Sequence, residues 1–202
     1  MRLKGPFRKI FGMSKRDHNR HAVDLGNLEY LVPFVHQNHC NLCGDSSAEM
    51  LLLFHGKNPA APLKANGGHA NSWRMRVNPR GVLSGANDDD VANVITGRGL
   101  QAWGLEPTVG RWSVPMVYRA LSNYGPYAQS VRFSVAGHWV VVIGVDANHV
   151  IYHDPWRGQN MRQTEAKWIA STFSDIYSTV AAVDPAYGAQ LVHPDGFNVQ
   201  QK

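Results

Sequence analysis

The spacing of apolar and polar positions changes along this chain, and the changes mark out its elements. Residues 48–54, Ala-Glu-Met-Leu-Leu-Leu-Phe, are apolar around nearly the whole helical circumference, as in a helix buried on all sides. Asp45 and Ser46 are N-cap candidates and Gly56 suits the position after the last turn, so a central helix starting at Cys43 is expected. Upstream, Glu29 to Val35 is apolar but extended, because Pro33 argues against helix. Asn58 to about Asn87 is rich in Gly, Pro and Asn and reads as loop. Asn87 to Asp90 caps a helix over Val91–Thr96, a reading preferred to a cation site. Ser113 caps a second, Val114–Ser122, with Pro115 in its first turn and Tyr124-Gly125-Pro126 ending it. The pattern then turns β. Tyr127 to Val135 reads as a strand, and Gly137 to Val145 is a β-branched run of the kind found in a buried strand. Asp146-Ala147-Asn148 is turn chemistry, and His149 to His153 returns, closed by Asp154-Pro155. A helical front half and a β-rich back half give an α+β layout.

Composition adds limits. With 202 residues, 44% of them hydrophobic, the chain can bury a core without disulfides or metal. The apolar run Trp139–Ile143 falls far short of the roughly 20 residues that cross a bilayer, so no membrane span and a soluble protein are expected. The net charge of +5 is concentrated at the start, where over residues 1–21 Arg2, Lys4, Arg8, Lys9, Lys15, Arg16 and Arg20 face Asp17 as the sole acid. Residues 1–25 therefore read as a basic, flexible leader; a nucleic-acid or membrane contact is the weaker reading, since no binding fold accompanies it. The leader lacks the apolar core of a secretory signal, so export would need a dedicated secretion machine or a larger fusion. The expected organisation is the leader, one domain over 26–185, and a mobile tail over 186–202.

The candidate chemistry starts from two cysteines, Cys40 and Cys43, too close to staple a fold. Only a thiolate is a strong nucleophile, and a helix N-terminus stabilises one. Cys43 stands there, and Gly44 permits close approach of a substrate backbone. Gln37, six residues earlier, can offer a side-chain amide to an oxyanion. Among ten histidines, His138 stands out because it opens the buried strand after Gly137. Asp154 closes the partner strand. If the hairpin pivots on Ala147, Val140 faces Asp154 and His138 is its diagonal neighbour on the same face, within reach of a hydrogen bond. A one-residue slip would put the two on opposite faces. Parity also places His153 on the face opposite Asp154. Two rival readings use the same cysteines. His36, His39, Cys40 and Cys43 offer four zinc-type ligands, though more tightly spaced than in structural sites. Cys40-Asn-Leu-Cys43 before a helix suits a thiol redox module, though no regular βαβ pattern follows.

The stretch Val-Pro-Phe-Val-His-Gln37-Asn-His-Cys-Asn-Leu-Cys43-Gly-Asp-Ser-Ser resembles the nucleophile segment of bacterial papain-like cysteine proteases. The double-glycine leader peptidases of bacteriocin exporters carry glutamine six residues before Cys-Gly in the same way. Gly-His138-Trp-Val-Val-Val-Ile-Gly-Val-Asp, followed by Tyr-His-Asp154-Pro-Trp-Arg-Gly, resembles the second half of such a site, especially in the papain-clan effector proteases of plant pathogens. Asn-Tyr-Gly125-Pro126 fits the same families. Trp156 resembles the papain tryptophan that shields the paired histidine from water. Two departures stand out: the extra thiol Cys40, and Asp45 after Cys-Gly, expected to face outward as a cap.

The resemblance implies a papain-like domain whose cysteine helix packs on an antiparallel sheet carrying His138 and Asp154. It implies peptide-bond hydrolysis by Cys43, His138 and Asp154, with Gln37 at the oxyanion, Gly44 and Trp156 in support, and no metal or cofactor. It further implies a protein substrate, cut near glycine in many relatives. Its members include injected effectors and interbacterial toxins, so delivery by a route such as type VI secretion, action in a target-cell cytoplasm and a cognate immunity protein are expected.

Overall fold

The computed structural model describes residues 27–37, 42–59, 86–108, 111–132, 137–173, 178–188, 191 and 193–202. The expected leader, His39, Cys40 and most of the loop between the first two helices lie outside the described residues.

The β-branched run becomes the strand on which the rest is assembled. It forms β4 (Gly137–Val145), and it pairs antiparallel with β3 (Tyr127–Arg132) on one side and β5 (His149–Asp154) on the other. The sheet continues outward through β6 (Gly158–Thr164) beyond β5, and through β7 (Thr179–Val183), β2 (Gln101–Pro107) and β8 (Phe197–Gln201) beyond β3. The short β1 (Leu28–Glu29) pairs with the last two residues of β4. There Gly144 is needed, because a Cβ on it would lie 2.5 Å from the carbonyl oxygen of Leu28. Among the described residues every strand pairing is antiparallel.

Both faces of this sheet are covered, which is why β4 reads as continuously apolar rather than alternating. Trp139, Val141 and Ile143 meet α1 (Cys43–Phe54) and α2 (Asp88–Thr96) in one core. Val140 and Val142 meet α3 (Val114–Tyr124), together with Trp112, Tyr152 and Trp168 of α4 (Glu165–Ser171), in the other. The four-residue α5 (Pro185–Gly188) follows β7. This mixture of helices and an antiparallel sheet is the expected α+β class, with α1 as its central, buried helix.

Several local expectations need correction. α1 starts at Cys43 after Leu42, so Asp45 and Ser46 stand inside its first turn and are not its caps. Asp45 is buried rather than turned outward. On a helix, residues two apart do not share a face, so burial of Asp45 does not aim it at the Cys43 side chain. α2 begins three residues before Val91, with a reciprocal capping box between Asn87 and Asp90. Ser113 precedes α3, but the first-turn N–H of Val114 is met from far along the chain, by Glu165 Oε1 at 2.7 Å.

The largest correction concerns the C-terminal segment. Instead of a mobile tail, it carries β8, whose five residues pair with Trp103 to Pro107. Lys202 donates its backbone N–H to Ala102 O at 2.9 Å, and its ammonium pairs with Asp88 in the first turn of α2. Sequence polarity suggested a tail because β8 is an edge strand, with Asn198, Gln200 and Gln201 exposed.

The Lys202–Asp88 pair is almost fully enclosed, at 6% and 8% side-chain exposure. Breaking such a pair leaves a buried charge without its counterion, at a cost of about 3 kcal/mol. Lys202→Ala is therefore expected to lower the urea midpoint of unfolding; an unchanged midpoint would refute the anchoring of α2 by Lys202.

Candidate active site

Hairpin geometry decides whether His138 and Asp154 can meet. The turn does not pivot on Ala147 as expected. Val145 pairs with Val150 and Gly144 with Ile151, one residue out of the expected register. A β-bulge between Val142 and Gly144 absorbs the offset, and beyond it Val142 pairs with Tyr152 and Val141 with His153. Continued by one residue, that register sets Val140 opposite Asp154, with His138 as the diagonal neighbour. The two side chains meet: His138 Nε2 lies 2.7 Å from Asp154 Oδ1. His153 points to the other face, as parity requires.

Asp154 is fully buried. Its Oδ1 also accepts from the backbone N–H groups of Trp156 at 2.9 Å and Arg157 at 3.1 Å. The guanidinium of Arg157, half exposed, stands with Nε 3.7 Å from Oδ2. Burial raises the carboxyl pKa, but the hydrogen bond and charge of His138 and the two N–H donors outweigh it, and the pKa is lowered.

With Nε2 committed to Asp154, the other ring nitrogen of His138 is available to Cys43, and the two side chains are hydrogen-bonded. Burial alone would depress the imidazole pKa. The bonds to Asp154 and Cys43, with their charges, overcome that and raise it to about 9. At the thiol the balance is similar. Burial pushes the pKa up most, but the His138 bond, the N–H of Trp139, the charge on His138 and the N–H of Gly44 together bring it below the ordinary value.

Packing fixes the thiol. Cys43 is the first residue of α1, 6% exposed. Gly44 is demanded by the protein itself rather than by a passing substrate. A Cβ there would lie 2.6 Å from Ala86 Cβ and 3.3 Å from both Trp139 and Val91. Trp139 in turn donates its indole N–H to Ala86 O at 2.8 Å. The start of α1 is thus wedged against the start of β4, next to His138. The spacing Cys-Gly in the sequence signals this close packing as well as it signals chemistry.

Gln37 is buried, and its backbone N–H donates to Pro155 O at 2.9 Å, tying the segment before α1 to the turn after Asp154. Trp156 contributes its N–H to Asp154, whereas its ring is 53% exposed and stacks on His36 at 6.4 Å. Sequence reasoning did not anticipate the Trp139 and Gly44 amides at the sulfur, Arg157 at Asp154, or the Gln37–Pro155 bond, because backbone donors leave no residue-type signal. Among the described residues, no cluster of His, Cys, Asp and Glu could hold a metal ion.

Comparison with known proteins shows the family and the fold. The Peptidase_C39 like family matches residues 30–184, from the segment before α1 to the end of β7. The chain belongs to the Peptidase_C39 like family. As a C39-like chain it is a cysteine peptidase of papain-like fold. No curated protein matches the sequence. Solved structures of similar fold include a double glycine motif protease from an AMS/PCAT transporter, crystallised with a leader peptide. It is 19% identical, with a TM-score of 0.52, over 77% of this chain and 93% of that one. The peptidase domain of Streptococcus ComA, a bifunctional ABC transporter involved in quorum sensing, gives 13% identity and a TM-score of 0.55, over 76% and 99%. A C39-like peptidase from Bacillus anthracis gives 15% and 0.55, over 78% and 98%. At these identities the likeness is one of fold.

The opposed shifts at Cys43 and His138 define a pH window. A thiolate–imidazolium pair persists from the lowered thiol pKa up to about pH 9, where His138 gives up its proton. Alkylation of Cys43 by iodoacetamide should therefore proceed below the pH range of an ordinary thiol. In His138→Ala the alkylation profile should move to higher pH, because the bond and charge that opposed burial are gone. Superimposable profiles for the two proteins would show that the ring does not govern the thiol.

Proposed function

We propose that this C39-like peptidase is an endopeptidase that cuts a protein substrate through a thioester intermediate, with Cys43 as nucleophile, His138 as acid and base, and Asp154 as the group that orients His138. The observation that carries this reading is the unbroken chain of contacts from a buried carboxylate through an imidazole to a thiol of lowered pKa at a helix N-terminus.

The steps follow from the groups available. The thiolate attacks the scissile carbonyl carbon, and the C–S bond forms as the carbonyl electrons move to oxygen. Gln37 and the first-turn N–H of Cys43 are the donors suited to that oxyanion, since first-turn amides have no partner inside the helix. Collapse breaks the C–N bond, and the proton on His138 goes to the leaving amine. Water then attacks the thioester, giving a proton to His138 and hydroxide to the acyl carbon, and the thiolate is restored. Asp154 holds the ring in the orientation that serves each transfer, and Trp156 is assigned a supporting role at the rim, through its N–H and its exposed ring.

The substrate reading rests on likeness. The transporter protease crystallised with its leader peptide acts on a double glycine motif, which supports a glycine-adjacent cleavage site here. The resemblance to effector proteases of plant pathogens supports a substrate in another cell, delivery by a dedicated secretion system and restraint by an immunity protein.

A comparison of new protein N-termini tests all of this. Wild type and Cys43→Ala are expressed in a producer cultured with recipient cells. Cleavage should vanish with Cys43→Ala, fall about 1000-fold or more with His138→Ala, and fall less with Asp154→Ala, which removes only an orienting group. New termini should follow glycine and belong to recipient proteins. Cleavage retained by Cys43→Ala would exclude the mechanism, and termini confined to the producer would exclude the effector reading alone.

A further inference from the structure

The segment from Leu28 to Gln37 reaches the site from outside the main sheet order, held by β1 pairing, by the Tyr30 hydroxyl on Leu121 O at 2.9 Å and by bonds along its length. At its start, Tyr30 donates its N–H to Ile143 O at 2.9 Å. At its end, Gln37 donates to Pro155 O at 2.9 Å. In the middle, Val32 is buried in the α1–α2 core with Phe34 and Val35 packed against it, and its carbonyl is hydrogen-bonded by His153. The Nε2 of His153 lies 3.0 Å from Val32 O, and its Nδ1 accepts from the N–H of Asn160 at 3.1 Å.

These partners fix the tautomer. A carbonyl only accepts, so Nε2 carries the hydrogen; a backbone N–H only donates, so Nδ1 is bare. The ring is 2% exposed, and Phe34 of the same segment packs edge-on against it, 5.7 Å between centroids at 86°. Burial pushes its pKa down, in keeping with the neutral form that both bonds require.

We propose that His153 is a positioning residue for the oxyanion side of the site. Its bond to Val32 seats the 30–37 segment on the β5–β6 hairpin and so sets where the Gln37 amide stands. The inference rests on the reading of Gln37 given above. Adjacent residues of one strand then support both halves of the chemistry. Asp154 orients His138 on one face, and His153 orients the Gln37 segment on the other.

Two substitutions separate the two bonds of the ring. The amide of His153→Gln falls near Nε2 and can still donate to Val32. The amide of His153→Asn falls near Nδ1 and can still accept from Asn160, but the Val32 bond is lost. Three readouts are compared in full-length protein: kcat and KM on a peptide that wild type cuts, the Cys43 alkylation rate, and hydrogen exchange of the 30–37 amides.

For His153→Asn, kcat should drop about tenfold or more, as expected of a displaced transition-state donor. KM and alkylation should stay within about threefold, since substrate binding and the thiol–imidazole pair are untouched. Exchange over 30–37 should speed up about tenfold. His153→Gln should recover most of each change. The positioning role is overturned if His153→Asn exchanges faster yet keeps its kcat, or if both variants are equally impaired, which would reduce His153 to packing. The exchange arm needs no substrate. If wild type cuts nothing, the functional reading falls, and unchanged exchange in His153→Asn would separately overturn the anchor.

Discussion

The contact between His138 and Asp154 depends on a pairing register set some distance away, near the other end of the β4–β5 hairpin. Side chains alternate along a strand, so an uncorrected one-residue offset would send His138 and Asp154 to opposite faces. The turn at Asp146–Asn148 creates that offset, and the bulge between Val142 and Gly144 removes it. The bulge and the tight fit of Gly144 against Leu28 occur together, so β1 docks where the ladder changes register. Gly144, which admits β1, also borders the bulge that restores the geometry of the site.

Electrostatics at the site is a contest in which burial is the largest single influence on all three groups. It disfavours the thiolate, the imidazolium and the carboxylate alike. At each group the neighbouring charge and hydrogen bonds oppose burial and reverse the direction of its shift. Each is charged because the next one is, and because backbone N–H groups of Gly44, Trp139, Trp156 and Arg157 point inward. Such mutual dependence means that loss of any one member disturbs the protonation of the others, which is why effects at coupled groups are not additive.

Much of this was legible in the sequence because side-chain type and parity carry it. The circumference of residues 48–54, the β-branched run after Gly137 and the alternation through Asp154 each point to one structure. The class of the fold and the face shared by His138 and Asp154 follow from them. What was not legible shares a physical character. The bulge is a property of two strands together, and no local residue announces it. The amides at the sulfur belong to residues whose side chains do something else. Asp45 reads as an outward cap from its type, yet Leu42 starts the helix early enough to bury it. β8 reads as a tail because an edge strand with polar side chains has the composition of a loop, and only its pairing with Trp103–Pro107 distinguishes the two.

The sheet is covered on both faces, and this creates a problem for chemistry that needs groups from both layers. Cys43 belongs to the core with α1 and α2, whereas Asp154 follows Tyr152 in parity and so faces the core with α3. A side chain in mid-strand could not touch both, because the sheet itself would stand between them. His138 escapes that constraint by its place as the second residue of β4, where the strand begins and the ladder ends. From there the ring lies at the margin of the sheet, with Nε2 on Asp154 and the ring hydrogen-bonded to Cys43 as well. Its neighbour Trp139 points into the α1 layer, blocks Gly44 from carrying a side chain and donates its backbone N–H to the sulfur. The dipeptide His138-Trp139 therefore works because a strand alternates: one side chain positions the helix that bears the thiol, and the next is free to join that thiol to a carboxylate in the opposite layer.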